Sequence, residues 1–216
     1  MKRVKLVSGG VDSCIMSQLY DGTNVYVDFG QPYVKEELNA LENLGIEYDL
    51  IKVDSKFKCD EKSYINDRNL FLSSLMCLVY SPDVIMLGGT KDDCYADNTP
   101  KEYRRIERLV SRYCSHPVKV VSPFWKKGKA DIVREFPDKS LVAKTFSCYH
   151  PVNGRPCGNC IACLRRAIAL ENSGVPSGVE ISRGIIEEYS KNKLSSSQRK
   201  ELQDWLKVKN EDTIRR

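Results

Sequence analysis

From its first residues the chain alternates short apolar strands with helical patterns, and this alternation narrows the fold more than any other feature. Residues 4–7, 24–29, 48–53, 83–87 and 118–121 read as strands. Between them Ile15, Met16 and Leu19 share one helical face, and Val34, Leu38, Leu41 and Leu44 share another. Further helices are expected over 70–80, 100–114 and 130–135. Strand–helix–strand units of this kind build an α/β parallel sheet with helices on both faces. Such sheets bind ligands outside the carboxyl ends of their strands, where the strand order reverses.

After about residue 140 the rhythm stops and four cysteines take over: Cys148, Cys157, Cys160 and Cys163. The Gly and Asn between Cys157 and Cys160 suit a tight turn, because both tolerate positive φ. Two thiolates across that turn, a third three residues on and a fourth from a nearby loop can complete a tetrahedral sulfur shell. A closed structural zinc, an iron–sulfur centre and unligated thiols are all readings of this spacing. A ferredoxin-type run continues with a fourth cysteine and a proline, whereas Arg166 and Ala167 stand here. A four-thiolate zinc has no open position, so it would hold structure and leave the chemistry to other groups. A helix is expected from 163 to 172. Ser195 with Gln198 reads as a capping box for a tail helix whose stripe is Leu202, Trp205 and Leu206. The chain thus divides into an α/β domain (1–140), a four-cysteine region packed on it (141–175) and a helical tail (176–216).

Five other cysteines, Cys14, Cys59, Cys77, Cys94 and Cys114, are scattered through a sequence that shows neither an export signal nor a long apolar run. That usage points to a reducing cytosol and to no membrane partner. The net charge of +5 is concentrated in the tail, where residues 191–216 hold eight Lys/Arg against four Asp/Glu. The body is left nearly neutral, so no nucleic-acid partner is expected.

The first strand runs straight into Ser8, Gly9, Gly10, Val11, Asp12 and Ser13, and a helix follows. Two glycines let the backbone turn sharply, and a helix N-terminus offers unpaired amides and the positive end of its dipole to an anion. Without a Gly-Lys-Ser/Thr ending this is not a Walker loop. Ser-Gly-Gly-x-Asp-Ser resembles the loop of the PP-loop ATP pyrophosphatases. That group has the adenine-nucleotide alpha-hydrolase-like (HUP) fold, and its loop grips the β and γ phosphates while a carboxylate attacks the α-phosphorus. The resemblance implies ATP bound by Val7 and residues 8–13, with Gly88, Gly89 and Thr90 bordering the adenosine. It also implies Mg²⁺ on the phosphates and chemistry carried by Ser8, Asp12 and Ser13.

Taken with that loop, Ser-Cys-Tyr followed by Cys-Gly-x-Cys-x-x-Cys resembles the 7-cyano-7-deazaguanine synthases (QueC-type) of queuosine and archaeosine biosynthesis. Further matches are Phe29-Gly30-Gln31 with a downstream Glu36 or Glu37, Arg68-Asn69 before Phe71-Leu72-Ser73, the loop with Asp93, Tyr95 and Asp97, and Lys129-Ala130-Asp131. The family pattern differs before Arg68, at Asn98 where it has Cys, and at Phe146 where it has Trp. The resemblance implies an ATP-dependent C–N ligase. Such an enzyme converts 7-carboxy-7-deazaguanine and ammonia, through an acyl-adenylate and an amide, into 7-cyano-7-deazaguanine, with release of AMP and pyrophosphate. It further implies one structural Zn²⁺ on the four cysteines and a cytoplasmic homodimer, with the Trp205 helix a contact either to the domain or to the partner. Phe29, Gln31, Arg68, Asn69, Tyr95 and Asp97 are the candidates for the deazapurine. The rival readings are a relative that stops at the amide, a tRNA-thiolating PP-loop enzyme, and a non-catalytic zinc-ribbon module.

Overall fold

The computed structural model describes residues 1–54, 65, 67–93, 95–192, 194–209 and 214–215. Cys59, Cys94 and Asn66 lie outside the described residues. Five strands, β1 (Arg3–Leu6), β2 (Thr23–Asp28), β3 (Asp49–Lys52), β4 (Val84–Met86) and β5 (Lys119–Val121), form one sheet in the order β3-β2-β1-β4-β5. All four pairings are parallel. The order reverses at β1, which has β2 on one side and β4 on the other, so the binding crevice opens past Leu6 and Met86.

Alternation along the strands decides which helices cover which face. Val4, Val25, Val27, Ile85 and Val120 point to the side covered by α3 (Arg68–Tyr80) and α4 (Pro100–Tyr113), against Leu72, Met76, Tyr103, Ile106 and Val110. Val84 and Met86 point the other way, onto α1 (Val11–Leu19) and α5 (Lys129–Glu135). Tyr26 packs with Val7, Cys14 and Leu41 under α2 (Val34–Asn43). Lys5, on β1, is 3% exposed and extends under α1, where its ammonium donates to the carbonyls of Ser17 (3.1 Å) and Tyr20 (2.5 Å). A cation there meets the negative end of the helix dipole.

The α4 boundary follows from capping chemistry: Thr99 accepts from the Glu102 amide and Pro100 starts the helix. Short α6 (Lys139–Lys144), which the apolar pattern does not announce, starts where Asp138 accepts from the amides of Ser140 and Leu141. The next helix, α7 (Ile161–Glu171), begins two residues before the expected 163 because extended Cys160 is its N-cap. A two-stranded parallel pair, β6 (Ile181–Ser182) with β7 (Ile214–Arg215), and helices α8 (Arg183–Lys191) and α9 (Ser196–Val208) complete the described elements. The α9 capping box forms as expected between Ser195 and Gln198. Trp205 is 1% exposed in a cluster with Leu164, Ile168, Ile185 and Leu202, and its ring N–H donates to Glu171 (2.7 Å). Of the two contacts open to the α9 stripe, the structure selects the chain's own core. Among the described residues no helix is long and apolar enough to cross a membrane.

Candidate active site and thiolate cluster

The loop after β1 is built around Gly9. With φ +69 it takes a conformation that side chains rarely adopt, and a Cβ there would sit 2.8 Å from Ala40 Cβ and 2.9 Å from the Glu37 carbonyl. The loop is therefore wedged against α2 on one side. On the other, the Phe146 amide donates to the Gly9 carbonyl (2.9 Å) and ties in the segment that leads to Cys148. Helix α1 starts at Gly10 with no side-chain cap, unlike α4 and α9, so its first-turn amides are left for an anion. Ser13 is 6% exposed; its hydroxyl accepts from the Ser8 amide and donates to the Gly10 carbonyl, both at 3.1 Å. In this geometry Ser13 braces the loop, because its one proton is given to the loop backbone.

Asp12, one residue into α1, forms an ion pair with Lys129 at the start of α5. Burial pushes the Asp12 carboxyl up from its usual range, opposed chiefly by Lys129. Its Oδ1 is buried with no hydrogen-bond partner among the described residues. A desolvated carboxylate with one oxygen free, beside uncapped amides and a lysine, fits a metal–phosphate group better than it fits an empty pocket. Gly88, after β4, approaches Asp12 closely, since a Cβ there would lie 3.1 Å from Asp12 Cβ. At Gly89 the space is taken by the Trp125 ring, and Asn98 Oδ1 would lie 2.9 Å from an added Cβ, so packing is what requires glycine there.

The loop after β4 is cross-braced. Asp93 accepts from the Thr90 amide and from Asn98, both at 2.7 Å, and pairs with Arg165 of α7 at 2.9 Å. Asn98 in turn accepts from the Tyr103 hydroxyl at 2.5 Å. Asn98, the departure from the family's Cys, is thus a working part of this loop.

These elements enclose a cleft of about 260 Å³ at the carboxyl ends of β1 and β4. The expected residues Val7, Ser8, Gly10, Val11, Asp12, Ser13, Phe29, Gln31, Arg68, Asn69, Gly88, Gly89 and Tyr95 all line it. Gly9, Thr90 and Asp97 do not. Gly9 faces α2, and Thr90 is buried in a bridge with Phe124. Asp97 is 7% exposed, with neither carboxylate oxygen hydrogen-bonded among the described residues and its carbonyl accepting from Asn69 (3.0 Å). Gln31 is buried and its amide is committed: Nε2 donates to the Tyr26 hydroxyl (2.8 Å) and to Glu37 (3.2 Å), while Oε1 accepts from the Phe29 amide (3.0 Å). It therefore positions Glu37.

Several further groups line the cleft. Glu37 was one of two glutamates open in the Phe29-Gly30-Gln31 segment, and the structure selects it. Lys129 stood in a matched segment without a role. Tyr33 and Tyr149 face each other, ring centroids 5.5 Å apart, and Ser147 and Arg165 come from the cysteine region and α7. Their pattern gave no local signal, because they reach the cleft only by tertiary docking.

The four cysteine sulfurs all lie within 4.8 Å of one another, and those of Cys157 and Cys163 are 4.0 Å apart. Four thiolates at about 2.3 Å from one ion sit about 3.8 Å apart, so the set fits a single tetrahedral ion. A multi-iron cluster would spread its cysteines over separate metals. The Cys157 amide points at Cys148 Sγ (3.2 Å) and the Asn159 amide at Cys157 Sγ (3.3 Å). Hydrogen bonds from Cys148 and Cys163 hold the Cys160 thiol well below its usual range. Cys148 also lines the cleft, so the thiolate cluster is built into its wall.

The sequence matches the family described as "Queuosine biosynthesis protein QueC" over residues 36–174. Similar curated relatives are named 7-cyano-7-deazaguanine synthase. One from Methanococcus maripaludis is 24% identical, covering 81% of this chain and 96% of the relative. One from Leptospira interrogans is 29% identical, covering 81% and 88%. Among solved structures, the U34-tRNA thiolase NcsA from Methanococcus maripaludis is 15% identical with a TM-score of 0.41, over 96% of this chain and 71% of that one.

Proposed function

The chain belongs to the QueC family, and on that premise we propose that it is an ATP-dependent ligase making 7-cyano-7-deazaguanine from 7-carboxy-7-deazaguanine and ammonia. The observation that carries this reading is a single cleft with two unlike ends. One end has the uncapped N-terminus of α1, Asp12 and Lys129; the other has Tyr33 and Tyr149 around Arg68, with Phe29 also in the lining. The first suits a triphosphate and the second a flat, carboxylate-bearing heterocycle.

In this reading residues 1–140 bind ATP, 141–175 hold a structural zinc that forms part of the cleft wall, and 176–216 pack behind them. The first-turn amides and Ser8 hold the β and γ phosphates, with Ser13 keeping the loop in shape. Mg²⁺ held through the free Asp12 oxygen would supply charge neutralisation on the departing pyrophosphate. Lys129 favours the ionised form of Asp12 against the effect of burial and adds a positive charge beside the phosphates. Stacking between aromatic rings, with Arg68 toward the substrate carboxylate and Asn69 fixing the 95–97 loop, orients the acyl group for attack on the α-phosphorus. Acyl-adenylate formation, amide formation, and a second activation that removes the amide oxygen then need only one bound geometry.

The test is to incubate the protein with Mg-ATP, ammonium and 7-carboxy-7-deazaguanine and read products by mass spectrometry. The nitrile with AMP is expected. Amide as the lasting product would select a relative that stops one step earlier, and no AMP with any deazapurine would refute the ligase reading.

A further inference from the structure

We propose that Glu37 is the general base of the amine-addition step, taking the proton that the attacking nitrogen loses. This rests on the ligase reading above. Glu37 is placed by backbone and side chain alike. Its carbonyl packs on Gly9 of the loop after β1, and its carboxyl lies at the cleft within reach of the Arg68 charge. Oε2 accepts from the Tyr26 hydroxyl at 2.7 Å and from Gln31 Nε2 at 3.2 Å, and Oε1 has no hydrogen-bond donor among the described residues. The carboxyl is thus clamped by one oxygen and presents the other.

The other carboxyls near the cleft are engaged or set back. Asp12 is paired with Lys129, Asp93 is held by Thr90, Asn98 and Arg165, and Asp97 does not line the cleft. The groups facing Glu37 are Tyr26 from β2, Gln31 from the following loop, and Arg68 from α3; Asp28 and Tyr33 lie around Tyr26, and Tyr33, Tyr149 and Asp97 around Arg68. Burial outweighs the hydrogen bonds from Tyr26 and Gln31 and the charge of Arg68, and brings the Glu37 carboxyl up to about 7. A base with that affinity is ionised enough to accept a proton near neutrality and basic enough to keep it.

The step balances without any further reactant. The ammonia nitrogen bonds to the activated carboxyl carbon, the carbon–oxygen bond to AMP breaks, and AMP leaves with the electron pair. The proton released from nitrogen passes to Glu37 Oε1 and from there to solvent.

Three readouts on the full-length, metal-loaded protein test this. Pyrophosphate exchange with 7-carboxy-7-deazaguanine and no amine reports activation alone. Amide plus nitrile formation with ammonium reports the whole reaction. Hydroxamate formation with hydroxylamine, already uncharged near neutrality, isolates the proton-transfer limb in a pH profile. Glu37→Gln is expected to keep exchange while losing amine addition by about 10²–10⁴-fold, with the limb near pH 7 abolished. Tyr26→Phe removes a donor to the ionised carboxylate, so the limb moves to higher pH. Wild-type rates of amine addition in Glu37→Gln, equal loss of exchange and addition, or an unmoved limb in Tyr26→Phe would each overturn the proposal. No exchange in the wild type would instead refute the ligase reading on which it stands.

Discussion

Replacing Gly9 by alanine tests whether the loop of residues 8–13 is shaped by its contact with α2. Two costs are expected. A non-glycine residue held at φ +69 costs roughly 1–2 kcal/mol. The methyl would also lie 2.8 Å from Ala40 Cβ and 2.9 Å from the Glu37 carbonyl, where neither a buried methyl nor helix backbone can yield cheaply. Overpacking of this kind adds about 1–3 kcal/mol. Gly45 is the control, with φ +63 and nothing within 4 Å of an added Cβ, so Gly45→Ala carries the conformational cost alone. A stiffer unfolded chain offsets about 0.4–1 kcal/mol in both variants. Urea unfolding should therefore place Gly9→Ala about 1–3 kcal/mol below Gly45→Ala, which is roughly 2–12 °C in Tm for a chain of this size. Because relief of the overlap moves the loop off α2, pyrophosphate release should fall in Gly9→Ala and not in Gly45→Ala. Equal stabilities for the two variants would refute the close-packing argument, and full activity in Gly9→Ala would show that the loop position does not matter.

Asp12→Asn should abolish pyrophosphate release without unfolding the chain, and Lys129→Met should lower it by about 10²-fold, checked by exchange assays beside a thermal melt. Cys160→Ser should lose about one equivalent of zinc by metal analysis and lower Tm, because metal binding and folding are coupled at such sites; unchanged melting with the metal gone would contradict a structural role. Glu201, whose carboxyl burial and Asp92 push up to about 7, binds its proton more tightly folded than unfolded. Its contribution is therefore most favourable below the unfolded carboxyl range and is lost as pH rises from about 4.5 to 7. Glu201→Gln should accordingly be more stable than the wild type by about 1 kcal/mol at pH 8, after solvent screening of a partly exposed group, with no gain at pH 4 by urea unfolding.

Much of the molecule is written locally. Short apolar runs mark the five strands, Thr99-Pro100 and Ser195 with Gln198 fix helix starts through capping, and Ser8 to Ser13 spells a tight glycine turn into a helix N-terminus. Each signal depends on neighbours within a few positions, and short-range sterics and hydrogen bonding are enough to produce it. The cysteine spacing belongs to the same class, since a turn brings two sulfurs together without the rest of the chain.

What tertiary structure decided is which of these groups face one another. Lys129 meets Asp12 across 117 positions, Arg165 reaches Asp93 across 72, and Tyr149 comes up against Tyr33. Ser13, an expected phosphate donor, is tied to the loop backbone, and Gln31, an expected substrate contact, to Tyr26 and Glu37, and both line the cleft. Trp205, open to two partners from its stripe alone, is buried at home. Periodicity says that a face is apolar or that a side chain can bond. Only packing chooses the partner, because desolvation and ion pairing depend on distances that the order of residues does not contain.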